Sequence, residues 1–404
     1  MECFVIFVMA WCWFNATESK PHNVSSNFNR NRNIRMKYKI SIFLIILSQF
    51  AKAQVFSDYV DSSNLNIKKA VDFYKQYLSE FEGTSLPDYS KYWSKDDCKR
   101  FKTPDPIVYS ISSDYPTYNF GTQKTIFYAR EYTNYVHLKT LMTQTDSLNN
   151  ISVYAITNHY ISTNDNSEKI HFISPIKINS HLYSTEKNGN IRYHFLKTHQ
   201  FNKAKSDQLI TLLKKFEKDW GFEPIQFDYY FTNTQDELGA MKGLDYYYGM
   251  EQTYPSGIAF PEDKIVYCNG YDENNLHEVL HLYLNPIYEK SPVNHGLIYY
   301  LGGSLGQNFN YLINKMNEYL SKYPATDLST FETLETKDIT LHINHTVIGL
   351  ICKIIDEKEG VNGLKRLLTY NDINTLFKKE FGLDKKEWDS FLKRKFKKYN
   401  TLKK

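Results

Sequence analysis

Charge of either sign is scarce in net terms. Lys and Arg number 49 and Asp and Glu 45, a formal balance of +4 over 404 residues. That small excess predicts neither a nucleic-acid binder nor a protein held on an anionic membrane surface. The basic end "FLKRKFKKYNTLKK" reads as a solvated last helix with a frayed tail. Cysteine is also scarce, with five in all. None forms a C-x-x-C pair, so the sequence holds neither a cysteine metal knuckle nor a disulfide framework. No GxGxxG opens a helix and no P-loop is present, which removes the usual nucleotide-binding signatures. There is no internal repeat and no long low-complexity linker. Apolar residues reach 42%, enough to bury a sizeable core, with 33 Tyr and 26 Phe.

The N-terminus carries an address. "MKYKISIFLIILSQFAKAQ" starts at Met36, with a basic pair at Lys37 and Lys39 and an apolar run over residues 40–50. Ala51-Lys52-Ala53 then makes a small-x-small cleavage site before Gln54. This order predicts a secretory signal peptide, on a run too short to span a bilayer comfortably. The expected product is exported, to the periplasm or outside the cell, and has no stable membrane insertion. Met36 is the expected start, and residues 1–53 are expected to be absent from the mature protein. Cleavage leaves Cys98, Cys268 and Cys352. The last two sit in apolar runs and read as small buried hydrophobes.

The expected fold class is α+β, with an N-terminal mixed domain over residues 54–200 and a second domain over 201–404. "NIKKAVDFYKQYLSEFEG" has Ile67, Ala70, Val71, Tyr74, Tyr77, Leu78 and Phe81 at helical spacing. "PIVYSISS", "KTIFYARE", "SVYAITNHYIST", "KIHFISPIKI" and "IRYHFLKT" read as short strands between turn-rich stretches. A sheet wrapped on the helix is one arrangement. From 201 a helix, "KSDQLITLLKKFEKDWGF", precedes the strand "IQFDYYFTN". "SGIAFPEDKIVYCNG" then reads as a hairpin turning at Pro261-Glu262-Asp263, followed by helices only. The glycines of "YLGGSLG" are read as places where two helices touch.

Chemistry concentrates in "DENNLHEVLHLYLNP". His277-Glu278-Val279-Leu280-His281 is an H-E-x-x-H motif on a helix expected to stop at Asn285-Pro286. Residues four apart share a helix face, so both imidazoles can meet one Zn²⁺. Glu278 lies beside that face, where it can take a proton from water and return it to a leaving amine. A catalytic zinc needs a third protein ligand and an open fourth position. His295, in "SPVNHGLIYYLGGS", is the expected third ligand, with Glu289 as its rival. The metzincin pattern fails at Leu284 and Ile287. His342 and His345 in "LHINHT", and Tyr299 and Tyr300, are candidate oxyanion donors; His345 and Tyr299 are retained for that role.

"HEVLHLYLNP" followed by "NHGLIYYLGG" resembles the peptidase MA-like gluzincins, zinc metallopeptidases with HExxH and then Asn-Glu-Gly-Leu-Ala-x-Tyr on the next helix. The resemblance covers about residues 201–400. It implies a zincin-like domain with a small sheet, an active-site helix and a mostly helical C-terminal part. It implies Zn²⁺ as cofactor, a peptide or protein substrate, and Glu278 as general base. The family's third ligand is Glu where this chain has His295. Either three neutral imidazoles hold the metal, or the ligand is lost and nothing is cleaved. In the second case the chain is a non-catalytic exported protein that binds a protein or polysaccharide partner. The strand over 264–268 is expected to hold an extended peptide by strand addition.

Overall fold

A computed structural model describes residues 55–401, apart from 62, 164–168, 337 and 339. The expected signal segment and cleavage site therefore lie outside the described residues. The chain is α+β, as its sequence texture implies.

The first layer begins with β1 (Val55–Asp58), which pairs parallel with β2 (Gln123–Glu131). Strands β3 (Tyr135–Thr145), β4 (Ile151–Ser162) and the two-residue β5 (Phe172–Ile173) follow in antiparallel order. Helix α1 (Leu65–Ser79) lies on this sheet, its first turn closed by Asn64 Oδ1, which accepts from the amides of Asn66 and Ile67. Ala70, Val71, Tyr74, Tyr77 and Leu78 form its buried stripe. They meet Val136, Leu138, Met142, Ile161 and Phe172 in one apolar cluster. Inside that cluster a polar chain is fully paired. Asp105 Oδ2 accepts from Tyr77 at 2.6 Å and Tyr118 at 2.7 Å, and Oδ1 accepts from the Ile107 amide. The Tyr118 oxygen in turn accepts from His159 Nε2 at 2.8 Å.

Two short helices, α2 (Lys95–Arg100) and α3 (Pro175–Ile178), edge this layer. The stretch "PIVYSISS", expected as a strand, is turns instead. The hydroxyl of Thr117, four residues beyond it, accepts from the Ser110 and Ile111 amides, so local bonds replace a ladder.

The second sheet has the order β10-β11-β8-β7-β6. Its members are β6 (Tyr183–Asn188), β7 (Ile191–Leu196), β8 (Phe227–Thr232), β10 (Ser256–Phe260) and β11 (Ile265–Asn269). The three central strands are parallel and both edges are antiparallel. Helix α4 (Lys203–Trp220) connects β7 to β8, ending at the left-handed Gly221. Helix α5 (Gln235–Lys242) follows β8, and β9 (Leu244–Tyr247) then returns to pair with β4 of the first sheet. The sheets therefore do not divide at residue 200. The hairpin β6–β7 belongs with the second sheet, and β9 belongs with the first.

The rest is helical: α6 (Leu276–Tyr288), α7 (Asn294–Gly302), α8 (Phe309–Lys322), α9 (Ile343–Leu367), α10 (Ile373–Phe381) and α11 (Lys385–Tyr399). Helix α9 breaks at Gly360, at φ 60°, so the two helices read from its sequence are one element with a kink. Helix α6 runs through Pro286 to Tyr288 and does not stop there. The missing Pro286 amide costs one bond near the end of the helix, where the carbonyls are running out of partners anyway. Among the described residues, no helix is long and apolar enough to cross a membrane.

Candidate metal centre

Three helices supply the site. Helix α6 is started by Asn275, whose buried Oδ1 accepts from the Glu278 amide. Val279, Leu280, Leu282 and Leu284 anchor its inner side. His277 and His281 are half-buried on the same face, with ring centres 5.2 Å apart. The chain reverses through residues 289–293, and α7 brings His295 to 5.1 Å from His281. Helix α9 crosses α7 at Gly296, where a Cβ would lie 2.3 Å from Ile348 Cγ2. That close crossing sets His345, in the first turn of α9, 5.1 Å from His295. Tyr299 completes the circuit, 4.9 Å from His345 and 5.3 Å from His277. The result is a closed ring of four imidazoles and one phenol. His342 stands outside it, 5.8 Å from His345.

The hydrogen bonds decide which nitrogens are free. His277 Nδ1 is 2.6 Å from the Gly303 carbonyl, which only accepts, so Nδ1 carries the proton. His281 Nδ1 donates to Asn285 Oδ1 at 3.1 Å, and Asn294 Nδ2 fixes that oxygen at 2.9 Å. Each Nε2 is left as a lone pair with no protein donor among the described residues. This is the outer arrangement that orients a metal-ligating histidine. Burial keeps the rings neutral: it pushes the His277 imidazole down to about 3, His281 to about 4 and His345 to about 3. His295 and His342 are exposed at the rim, and partial desolvation lowers them as well.

Two imidazoles that share a metal at about 2.0–2.1 Å per nitrogen hold their ring centres roughly 5 Å apart. The spacings 277–281 and 281–295 meet that requirement. The set is not closed on one point, however. Among the described residues, no three His, Cys, Asp or Glu side chains converge as they stand to hold an ion. The donor chemistry and the 277–281 and 281–295 spacings fit zinc, while the full set does not converge. His345 Nδ1 is buried without a partner, a polar atom facing a need that the chain does not meet.

Glu278 is buried beside the ring, and burial raises its carboxyl to about 8. Its side chain lies against β10, where a Cβ on Gly257 would fall 2.5 Å from Glu278 Cγ. Strand β10 is one of the two edge strands of the second sheet, since among the described residues it pairs only with β11. Strand β11 is paired on both sides, so the expected strand addition at 264–268 has no free ladder there. The edge strand beside Glu278 is β10.

Glu289 caps the exposed C-terminal end of α6, away from the ring. Tyr300 turns aside to donate to Asp356 at 2.7 Å. Cys98, Cys268 and Cys352 are free thiols, the last two buried as their apolar settings suggest. Asn285 and Asn294 are site residues that the sequence does not single out, while the glycines of "YLGGSLG" make the helix contact expected of them. Asn285 had a signal: it lies four residues after His281, the spacing that relates His281 to His277. Gly302 touches α6 directly, since a Cβ there would lie 2.7 Å from His277 Cα.

No family model matches the chain, and comparison with curated proteins and with solved structures finds no match either.

Proposed function

We propose that the protein is a zinc-dependent peptidase, with His277, His281 and His295 as the ligands. The observation that carries this reading is the pair of anchored imidazoles on α6, each with Nδ1 held and Nε2 free, beside a buried carboxylic acid. A bound Zn²⁺ supplies a Lewis acid and lowers the pKa of water. The chain supplies the rest. Once ionised, which the charge of a nearby Zn²⁺ would favour, Glu278 takes a proton from the attacking water and hands it to the departing amine. Tyr299 OH and His345, on the far side of the ring, donate to the developing oxyanion. The free edge of β10 pairs with an extended peptide and presents its carbonyl beside Glu278. A protein or peptide with an unstructured segment is the substrate class this implies.

A second reading has its own support. His295 stands where the resembling family has Glu, and among the described residues no three donors converge as they stand. On this reading the chain is a non-catalytic exported binding protein. Metal analysis of the purified protein, followed by hydrolysis of unfolded casein with and without a chelator, separates the two. Bound zinc with chelator-sensitive cleavage supports the peptidase. Neither metal nor cleavage supports the binding protein.

A further inference from the structure

A groove of about 640 Å³ opens between the start of α6, the loop after α7 and the first turn of α8. This is within the range of small-molecule sites. Its wall is neutral and rich in amides. Asn274, Gln307 and Asn310 line it, and none of their side chains bonds to the protein among the described residues. Asn275, also in the lining, is 2% exposed and has a buried Nδ2 without a partner. Half-buried Tyr271 and Tyr300 add aromatic surface, with the buried Phe309 behind Tyr300, edge-on at 5.6 Å.

The charges at its margin are already spent. Asp272 pairs with Lys205, and Lys353 lies 3.2 Å from Glu357. Among the described residues of this wall, a phosphate or nucleic acid would find no unpaired cation, and an ammonium no unpaired carboxylate. No strand edge lines the groove, so it lacks the ladder that holds an extended peptide. What it offers is amides that both donate and accept, beside aromatic surface. That pairing matches a pyranose, with hydroxyls around its rim and C–H groups on its flat face. We propose that this groove binds a neutral oligosaccharide. The bound sugar would rest on Gly302 and Gly303, the segment that orients His277, and so would sit next to the candidate metal centre.

The test is titration calorimetry of the whole chain with cellotetraose, xylotetraose and chitotetraose. The comparison is a Gln307→Ala/Asn310→Ala double variant. Both positions are exposed and belong to none of the machinery above. The expected result is saturable binding of at least one tetrasaccharide, weakened about tenfold or more in the variant with an unchanged thermal midpoint. Three results overturn the proposal: no saturation by any of the three sugars, binding that the double variant leaves intact, or equal binding of an unstructured polar peptide. The measurement needs neither metal nor hydrolysis, so its failure is distinct from failure of the peptidase reading.

Discussion

At the scale of single residues, the site depends on which atoms are held and which are left free. Glu278→Gln keeps the shape of the side chain but cannot take a proton. On the peptidase reading it retains zinc and loses at least about a hundredfold in kcat, the low end for general-base catalysis. Substrate affinity should change far less, because the loss falls on the transition state. Zinc loss in that variant would instead make Glu278 a ligand. Asn285 tests the outer shell. Asn285→Ala removes the acceptor that fixes the His281 tautomer, and zinc affinity should fall roughly 10–100-fold, read by competition with a chelating dye. Unchanged affinity would show that the Asn285 bond does not orient a ligand. Gly257→Ala addresses the carboxylate from the other side. Its Cβ would meet Glu278 Cγ at 2.5 Å, so activity should fall while metal content stays constant.

At the scale of elements, the ring is a helix-crossing problem. Helices α7 and α9 meet at Gly296, and α7 carries His295 while α9 carries His345. Gly296→Val should push the helices apart and separate the two imidazoles. The expected cost is about 1–3 kcal/mol by urea unfolding, typical of overpacking, together with weakened metal binding. Stability and affinity both unchanged would mean that the crossing tolerates a side chain. Most helices were legible because their buried positions recur every three or four residues. Tyr74, Tyr77 and Leu78 on α1, and Leu209, Leu213 and Phe216 on α4, are examples. Strand β3 escaped notice. Its inward Val136, Leu138 and Met142 are interleaved with His137, Lys139 and the inward Thr140, and these polar residues hide the apolar stripe. Helix α5 and strand β9 were missed as well. Strand β9 is four residues long, and its partner β4 lies far back in the chain, where no local signal reaches. The same limit applies to the site. His277 and His281 sit on one helix and announce themselves. The closure through Tyr299 and His345 depends on how α9 crosses α7.

At the scale of the whole molecule, buried neutral imidazoles make stability sensitive to acid. His159 illustrates this apart from the candidate metal centre. Burial pushes its imidazole from 6.5 down to about 3. Between those values the unfolded chain holds a proton at this position and the folded chain does not. Stability therefore rises with pH across that window and is level above it, with a slope of about 1.4 kcal/mol per pH unit from this group. Asp105 works the other way at the acid end, because burial raises its carboxyl. Urea midpoints between pH 4.5 and 7.5 should fall with acid in the wild type, and less steeply in His159→Gln. Parallel curves would show that His159 is not buried neutral.

Strand β9 also constrains how this chain can be divided or inherited. A fragment ending near residue 200 keeps β4 but loses β9, which covers Ala155 to Thr157. A fragment beginning there keeps β8 but loses β7, which covers Phe227 to Tyr230. Each piece would present an open backbone edge and would tend to pair with copies of itself. The two sheets are therefore not interchangeable cassettes. Recombination that shuffled one without the other would have to carry a strand from the far side of the break.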